Sequence, residues 1–266
     1  FWFPETGEYR RCKVYSRSDD VTSVPISLEP YGSLFVVFRT RDNQQLHVTK
    51  AVDEIDVLPG DDDNLRVVTR EPGKYELLCS DGRRRTVDVQ ELPEPIEVSG
   101  PWKVEFLSGR GAPTSVELGE LKSWTEFEHP GIKYYSGIAR YESTFDVPAS
   151  WLRRDRRIEL DLGTLWAVGR IQVNEADPVS VWKPPYQLDI TESIHPGQNR
   201  LQVEIANTWS NRLVGDSRLP DEQRIGRTNI IRSGTPGRPW SEVPLKESGL
   251  MGPVRLIGKA EMSIPF

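Results

Sequence analysis

The feature that most constrains the fold is a two-residue alternation in which Ala139, Tyr141, Ser143, Phe145 and Val147 are separated by Arg140, Glu142, Thr144 and Asp146. Successive side chains of a strand point to opposite faces, so this pattern buries one face and wets the other; on a helix it would scatter both classes around the axis. The same rhythm recurs at Ile158, Leu160, Leu162, at Ala167, Gly169, Ile171, Val173 and at Leu201, Val203, Ile205. No window keeps apolar residues at three-and-four spacing over several turns, which leaves room only for short helical pieces such as Ala149 to Arg154 after Pro148. An almost wholly β chain with antiparallel sheets, each wet on one side, follows.

In the first third, strands are expected near Tyr9 to Tyr15, Thr22 to Leu28, Ser33 to Arg39, Leu65 to Thr69, Lys74 to Cys79 and Arg85 to Gln90. Turn signals separate them, among them Ser80-Asp81-Gly82 and Pro59-Gly60-Asp61. Leu92-Pro93-Glu94-Pro95 supplies two residues that cannot donate to a ladder, and a new alternating run opens at Trp102. A boundary near residue 96 therefore divides a small sandwich, 1–96, from a larger β domain, 97–266. This agrees with a length of 266 residues at about 150 per domain. From Asn207 to Gly249 the alternation stops and Gly, Pro, Arg and Asp abound. Irregular connections of that length in a compact domain are usually functional.

The charge balance, 40 acidic against 34 basic residues for a net of −6, argues against binding to a nucleic acid backbone. The longest apolar run, Leu34 to Phe38, is far shorter than the roughly 18 residues a membrane span requires. Cys12 and Cys79 are the two cysteines, expected as buried free thiols. The opening Phe1-Trp2-Phe3-Pro4 lacks an initiator Met and a charged leader, so a mature piece or an excised fragment is expected.

Signatures of chemistry are sparse. His47, His129 and His195 are scattered away from the cysteines, so no transition-metal site and no cofactor is expected. Asp61-Asp62-Asp63-Asn64 offers oxygen ligands, but an acidic run at a turn tip reads first as a solvated loop. A glycosidase needs two facing carboxylates, one of them kept protonated. Glu142, Asp146, Glu159 and Asp161 instead fall at wet-face positions of alternating strands, and no catalytic residue is assigned. Aromatics are more informative: Trp166, Trp182, Tyr186, Trp209 and Trp240 are interspersed with Asn, Asp and Arg. A sugar presents an apolar C–H face and a ring of hydroxyls, so its sites join a flat aromatic wall to amide, carboxylate and guanidinium groups. Trp102, Trp124 and Trp166 are expected as packing residues.

The run Tyr135-Ser136-Gly137 to Phe145-Asp146-Val147-Pro148 resembles the entry to the sugar-binding domain of glycoside hydrolase family 2. Leu160-Asp161-Leu162-Gly163, Val173-Asn174, Asp189-Ile190-Thr191, Gly197-Gln198-Asn199-Arg200-Leu201 and Ser248 to Val254 follow in that family's order. Asn174 is followed by Glu175 where the family has an Asn-Gly turn, and Asp189 with Thr191 reads as a turn cap. A narrower likeness joins Trp182-Lys183-Pro184-Pro185-Tyr186, Asn207 to Asp216, Pro4-Glu5-Thr6-Gly7 and Leu28 to Phe38, which are similar to the C-terminal region of α-L-rhamnosidases of family 106.

The resemblance implies two β-sandwich domains, the second a galactose-binding-like jelly roll, in a non-catalytic C-terminal portion of a glycoside hydrolase. The catalytic barrel would lie N-terminally, since no alternating strand and helix pattern occurs here, and a periplasmic or extracellular location is implied. The expected carbohydrate ligand is a neutral or deoxy sugar. Trp182, Tyr186 and Trp209 would offer stacking faces, and Asn211, Arg212 and Asp216 directional hydrogen bonds. Two alternatives stand beside this: Arg212 and Asp216 pair with each other and stiffen the loop, or the aromatic surface docks another protein domain, such as that barrel, and binds no sugar.

Overall fold

All four alternating segments form strands in the computed structural model, which describes residues 1–38, 46–52, 54–61, 64–230, 232–233 and 237–265. The chain is nearly all-β and of the β-sandwich class. It divides into two compact units, the first of Phe1–Pro95, Ser150–Glu159 and Ile257–Phe266, the second of Ile96–Ala149 and Leu160–Leu256. The first unit thus includes two segments from beyond residue 96, which a single cut along the sequence does not express.

In the first unit, strands Val48–Lys50, Gly73–Cys79 and Arg84–Val89 form one antiparallel sheet. The hairpin Ile55–Pro59 with Leu65–Thr69 is extended by Ala260 to Ile264. Their inward residues, among them Val48, Leu65, Val67, Leu77, Val87 and Ile264, make one apolar cluster. The expected strands at Tyr9 to Tyr15 and Ser33 to Arg39 are reduced to isolated bridges at Tyr9, Val14 and Phe35, while Thr22 to Leu28 keeps only Val21–Ser23. Arg39 lies outside the described residues. Trp2, Tyr9, Ile26, Leu28 and Phe35 are exposed, so no second layer among the described residues covers these segments, and Pro25 and Pro30 remove ladder donors.

Glu159 corrects the wet-face expectation: it is buried, paired with Arg70 at 2.6 Å and with Lys259. The expected helix at 149–154 is a single 3-10 turn, Ala149–Trp151. Both cysteines are free, Cys79 buried and Cys12 half-buried, and burial pushes both thiols up in pKa.

In the second unit a six-stranded antiparallel sheet runs in the order Ser115–Leu118, Trp102–Phe106, Ile138–Val147, Gly197–Ala206, Val168–Val173, Val179–Val181. Its inner face carries Trp102, Val104, Tyr141, Phe145, Ile171, Val203 and Ile205, all buried. Its outer face is laced by ion pairs, Arg140 with Glu204 at 2.7 Å and Arg200 with Glu142 at 2.8 Å. The buried Tyr141 hydroxyl accepts from Trp124 Nε1 and from the Leu250 N–H, tying the sheet to the paired strands Thr164–Trp166 and Gly249–Gly252. Trp102 and Trp124 are core, as expected; Trp166 is not, because Leu165 takes the inward position and leaves its two strand neighbours exposed. Asp189 caps its turn by accepting from the Thr191 N–H and hydroxyl.

Candidate functional site

The irregular stretch after Ala206 begins by being captured. Asn207 Oδ1 accepts from the Gly137 N–H at 2.9 Å, and Asn207 Nδ2 donates to the Tyr135 carbonyl at 2.9 Å. Ser136 Oγ donates to the Thr208 carbonyl at 2.9 Å and accepts from the Arg212 N–H at 3.2 Å. Held this way, the chain turns into a seven-residue helix, Ser210–Asp216, that the alternation could not have shown. Gly215 is required on its inner side, since a Cβ there would fall 2.6 Å from Tyr134 Cγ.

Three of the six expected site residues line the buried side of this helix, with relative exposures of 2% for Asn211, 5% for Arg212 and 4% for Asp216. Asn211 donates to the Lys246 carbonyl at 2.7 Å and to Ser248 Oγ at 3.0 Å, and accepts from the Lys246 N–H at 2.9 Å. Arg212 and Asp216 pair with each other at 3.4 Å. Arg212 Nη2 also donates to the Arg110 carbonyl at 3.3 Å. Asp216 accepts from the Ile225 and Gly226 N–H groups at 3.3 and 2.6 Å. One buried ion pair therefore fastens two separate loops to one helix. Gly111, at φ +87°, lets them close, because a Cβ there would lie 2.4 Å from Ile225 Cδ1.

The three rings behave differently. Trp209, immediately before the helix, is 51% exposed, with the Arg110 guanidinium carbon 5.7 Å from its ring centroid. Gly226 passes beside it, so that a Cβ there would stand 3.9 Å from Trp209 Cζ3. Trp182 is 55% exposed and Tyr186 only 9%. In register, Val181 lies opposite Gly169 and Gly169 opposite Ile205. The strands leading to Trp182 and Trp209 therefore run the same way and end at the same edge of the sheet, two strand spacings or about 10 Å apart. The structure brings Arg110, Trp209, Arg212 and Asp216 together. Burial pushes the nearby Tyr135 phenol up in pKa, against the Leu107 N–H and the cations Arg110 and Arg212.

Sequence reading missed Arg110, Ser136, Asn207 and Ser248 as parts of this assembly. Ser136 and Asn207 belong to recognised motifs; for Arg110 the only signal is the glycine on either side of it. Among the described residues, no cluster of three or more His, Cys, Asp or Glu is placed to hold a metal ion. Asp62 and Asp63 of the acidic turn lie outside the described residues. Among the described residues, no helix is long and apolar enough to cross a membrane. A cavity of about 710 Å³ in the first unit, lined by Phe1, Lys13, Tyr15 and Asp56 among others, contains none of the six expected site residues.

No family model matches the sequence. The chain is 31% identical over 262 residues to a Formosa agariphila protein described as "Putative beta-glucuronidase", the match covering 92% of this chain and 22% of that protein. It is structurally similar to the rhamnosidase from Novosphingobium sp. PP1Y, with a TM-score of 0.54 and 26% identity over 80% of this chain and 25% of that one. A Ruminococcus gnavus beta-glucuronidase matches at 24% identity and a TM-score of 0.42, over 62% of this chain and 28% of the other. The chain is thus related to glycoside hydrolases, and spans about a fifth of the length of the curated relative it matches.

Proposed function

We propose that the chain is a non-catalytic accessory module of a larger glycoside hydrolase akin to the α-L-rhamnosidases. In this reading the second unit, Ile96–Ala149 with Leu160–Leu256, forms a galactose-binding-like jelly roll, and its Trp209 edge faces carbohydrate. The observation that carries the reading is the way Trp209 is displayed. Its ring is half in solvent, while the buried polar side chains Asn211, Arg212 and Asp216 are spent on holding the backbone beneath it. A rigid aromatic face presented at low entropic cost is what stacking on a sugar C–H surface requires. Trp209 and Trp182 are accordingly the contact residues; Tyr186, Asn211, Arg212 and Asp216 are their scaffold.

A non-catalytic role accords with the carboxyl chemistry. A glycosidase acid must have its pKa raised. Among the described residues, the carboxyls that depart from their ordinary values, Glu8, Glu142 and Asp155, are all lowered by a neighbouring arginine. Calorimetric titration of the 266-residue chain with rhamnose-, galactose- and glucuronate-containing oligomers tests the reading. Saturable binding lost in Trp209→Ala supports it, and no heat from any of them at millimolar concentration overturns it.

One observation favours docking as a second reading. Leu107 and Ile138 are exposed and joined by a backbone bond, and Ile138 lies in register with Ala206 and then the exposed Val168. This apolar row crosses four neighbouring strands. Docking of the catalytic domain there predicts that Ile138→Asp weakens its association and leaves any sugar titration unchanged.

A further inference from the structure

We infer that the sugar taken at the Trp209 edge is anionic, carrying a carboxylate or an ester sulfate. This rests on the reading of that edge as carbohydrate-facing. It comes from following the cations of the segments that meet beside the ring to their partners.

The three segments meeting here, 108–111, 209–218 and 221–227, carry Arg110, Arg212, Arg218, Arg224 and Arg227 against Asp216, Asp221 and Glu222. Arg212 is neutralised within the protein by Asp216. Arg224 is neutralised by Asp221 at 2.6 Å. Arg218 lies over the Tyr134 ring and donates to its hydroxyl at 3.1 Å. Arg110 and Arg227 remain: among the described residues neither guanidinium has a carboxylate partner, and Arg227 is exposed. Glu222 is the one acid of the three segments left without an ion pair among the described residues, so these segments stay net positive on a chain whose formal charge is −6.

The two unpaired arginines are placed by the same rivet that displays the ring. Arg212 holds the Arg110 carbonyl, and Asp216 holds Ile225 and Gly226, the two residues leading into Arg227. Arg110 also lies against the Trp209 face. A sugar stacked on that ring would bring its equatorial substituent within reach of the Arg110 guanidinium donors. Such donors favour a planar carboxylate or a sulfate over a hydroxyl, because a charge-assisted bond is about twice as strong as a neutral one. A neutral sugar would leave two cations without new partners. An acidic one gains hydrogen bonds and supplies the missing counter-charge.

The test is calorimetric titration of the 266-residue chain at low ionic strength with methyl glucoside, glucuronate, glucose 6-sulfate and inorganic sulfate. The anionic sugars are expected to bind about tenfold more tightly than methyl glucoside, the size of a single hydrogen bond to a charged group. That advantage should shrink as salt is raised through 0.15 M. Arg110→Gln and Arg227→Gln should each remove most of it, so that the anionic sugars fall toward the affinity of methyl glucoside measured on the same variant; glucuronate against glucose 6-sulfate shows which anion the edge prefers. Equal binding of neutral and anionic sugars overturns the inference and leaves the carbohydrate reading standing. Inorganic sulfate binding as tightly as glucose 6-sulfate also overturns it, since the ring then contributes nothing. No binding of any sugar overturns the carbohydrate reading itself.

Discussion

Removing the Asp216 carboxylate should damage the second unit more than removing its arginine partner, and the reason lies in who else each group serves. Asp216 accepts from Arg212 and from two backbone N–H groups, at 3.4, 3.3 and 2.6 Å. In Asp216→Ala the guanidinium, 5% exposed, stays in the interior with only the Arg110 carbonyl, and two N–H groups lose their acceptor. Breaking a buried pair from one side costs about 3–5 kcal/mol. In Arg212→Met the carboxylate keeps both N–H donors, so its charge remains partly satisfied and the loss should be about half as large, roughly 1.5–3 kcal/mol. With a urea m-value of about 2 kcal/mol/M, the midpoint should fall by about 1.5–2.5 M for Asp216→Ala and by about 1 M for Arg212→Met. Urea unfolding followed by tryptophan emission measures both, and Asp216→Asn, which keeps one acceptor oxygen, serves if the alanine variant does not accumulate folded. Equal losses, or a loss below about 1 kcal/mol for Asp216→Ala, would refute the claim that this carboxylate fastens the two loops.

Other positions give sharper local readouts. Asn211→Ala strips the Lys246 N–H of its acceptor and leaves the Lys246 carbonyl with the Ser248 hydroxyl alone, and should cost about 1–3 kcal/mol, with faster hydrogen exchange and proteolysis confined to 243–248. Gly131→Ala places a Cβ 1.8 Å from the Gly111 carbonyl oxygen, so the backbone must move; about 1–3 kcal/mol of destabilisation and a changed Trp209 emission, through displaced Arg110, are expected. Glu142 has its pKa lowered, first by the hydrogen bond from Arg200. A depressed folded pKa gives stability present above the ordinary carboxylate range and lost as pH falls through the lower, folded value. Glu142→Gln should therefore flatten that part of the acid limb of a stability–pH curve, and a carboxyl titration by NMR should place Glu142 below free glutamate.

The strands of the second unit were legible because period two is a backbone property that survives without knowledge of neighbours. The run read at 139–147 is the strand Ile138–Val147, and Leu201, Val203 and Ile205 are buried as the alternation requires. Glu159 shows where that inference stops. Its alternation is that of a wet face, yet Arg70 and Lys259, 89 and 100 residues away, arrive over it and make burial tolerable. Residues 1–38 show the opposite failure. Local apolar content there suggests strands, but a strand exists only if something lies beside it, and Trp2, Tyr9 and Phe35 meet through single bridges.

The sequence pattern drew attention to Asn207–Asp216 without showing what those side chains are bonded to, and one physical rule accounts for both. A connection without a ladder still carries an N–H and a carbonyl at every residue but proline, and those near the interior must be paired. Side chains that can both donate and accept, or accept twice, are the cheapest substitutes for the absent strand, so a long irregular segment that packs against a sandwich must be rich in Asn, Asp, Ser and Arg. The density of those residues from Asn207 to Asp216 marks a place where the chain is pinned; it looks like a binding site because sugars are recognised with the same groups. Asn207, Asn211 and Asp216 each bind two or more backbone groups and have little capacity to spare. What distinguishes a recognition residue in such a segment is being left over, and only exposure and the pairing of neighbours reveal it. By that criterion the residues to follow are Trp209, Arg110 and Arg227. The polar trio that the sequence pattern favoured instead determines where those three stand.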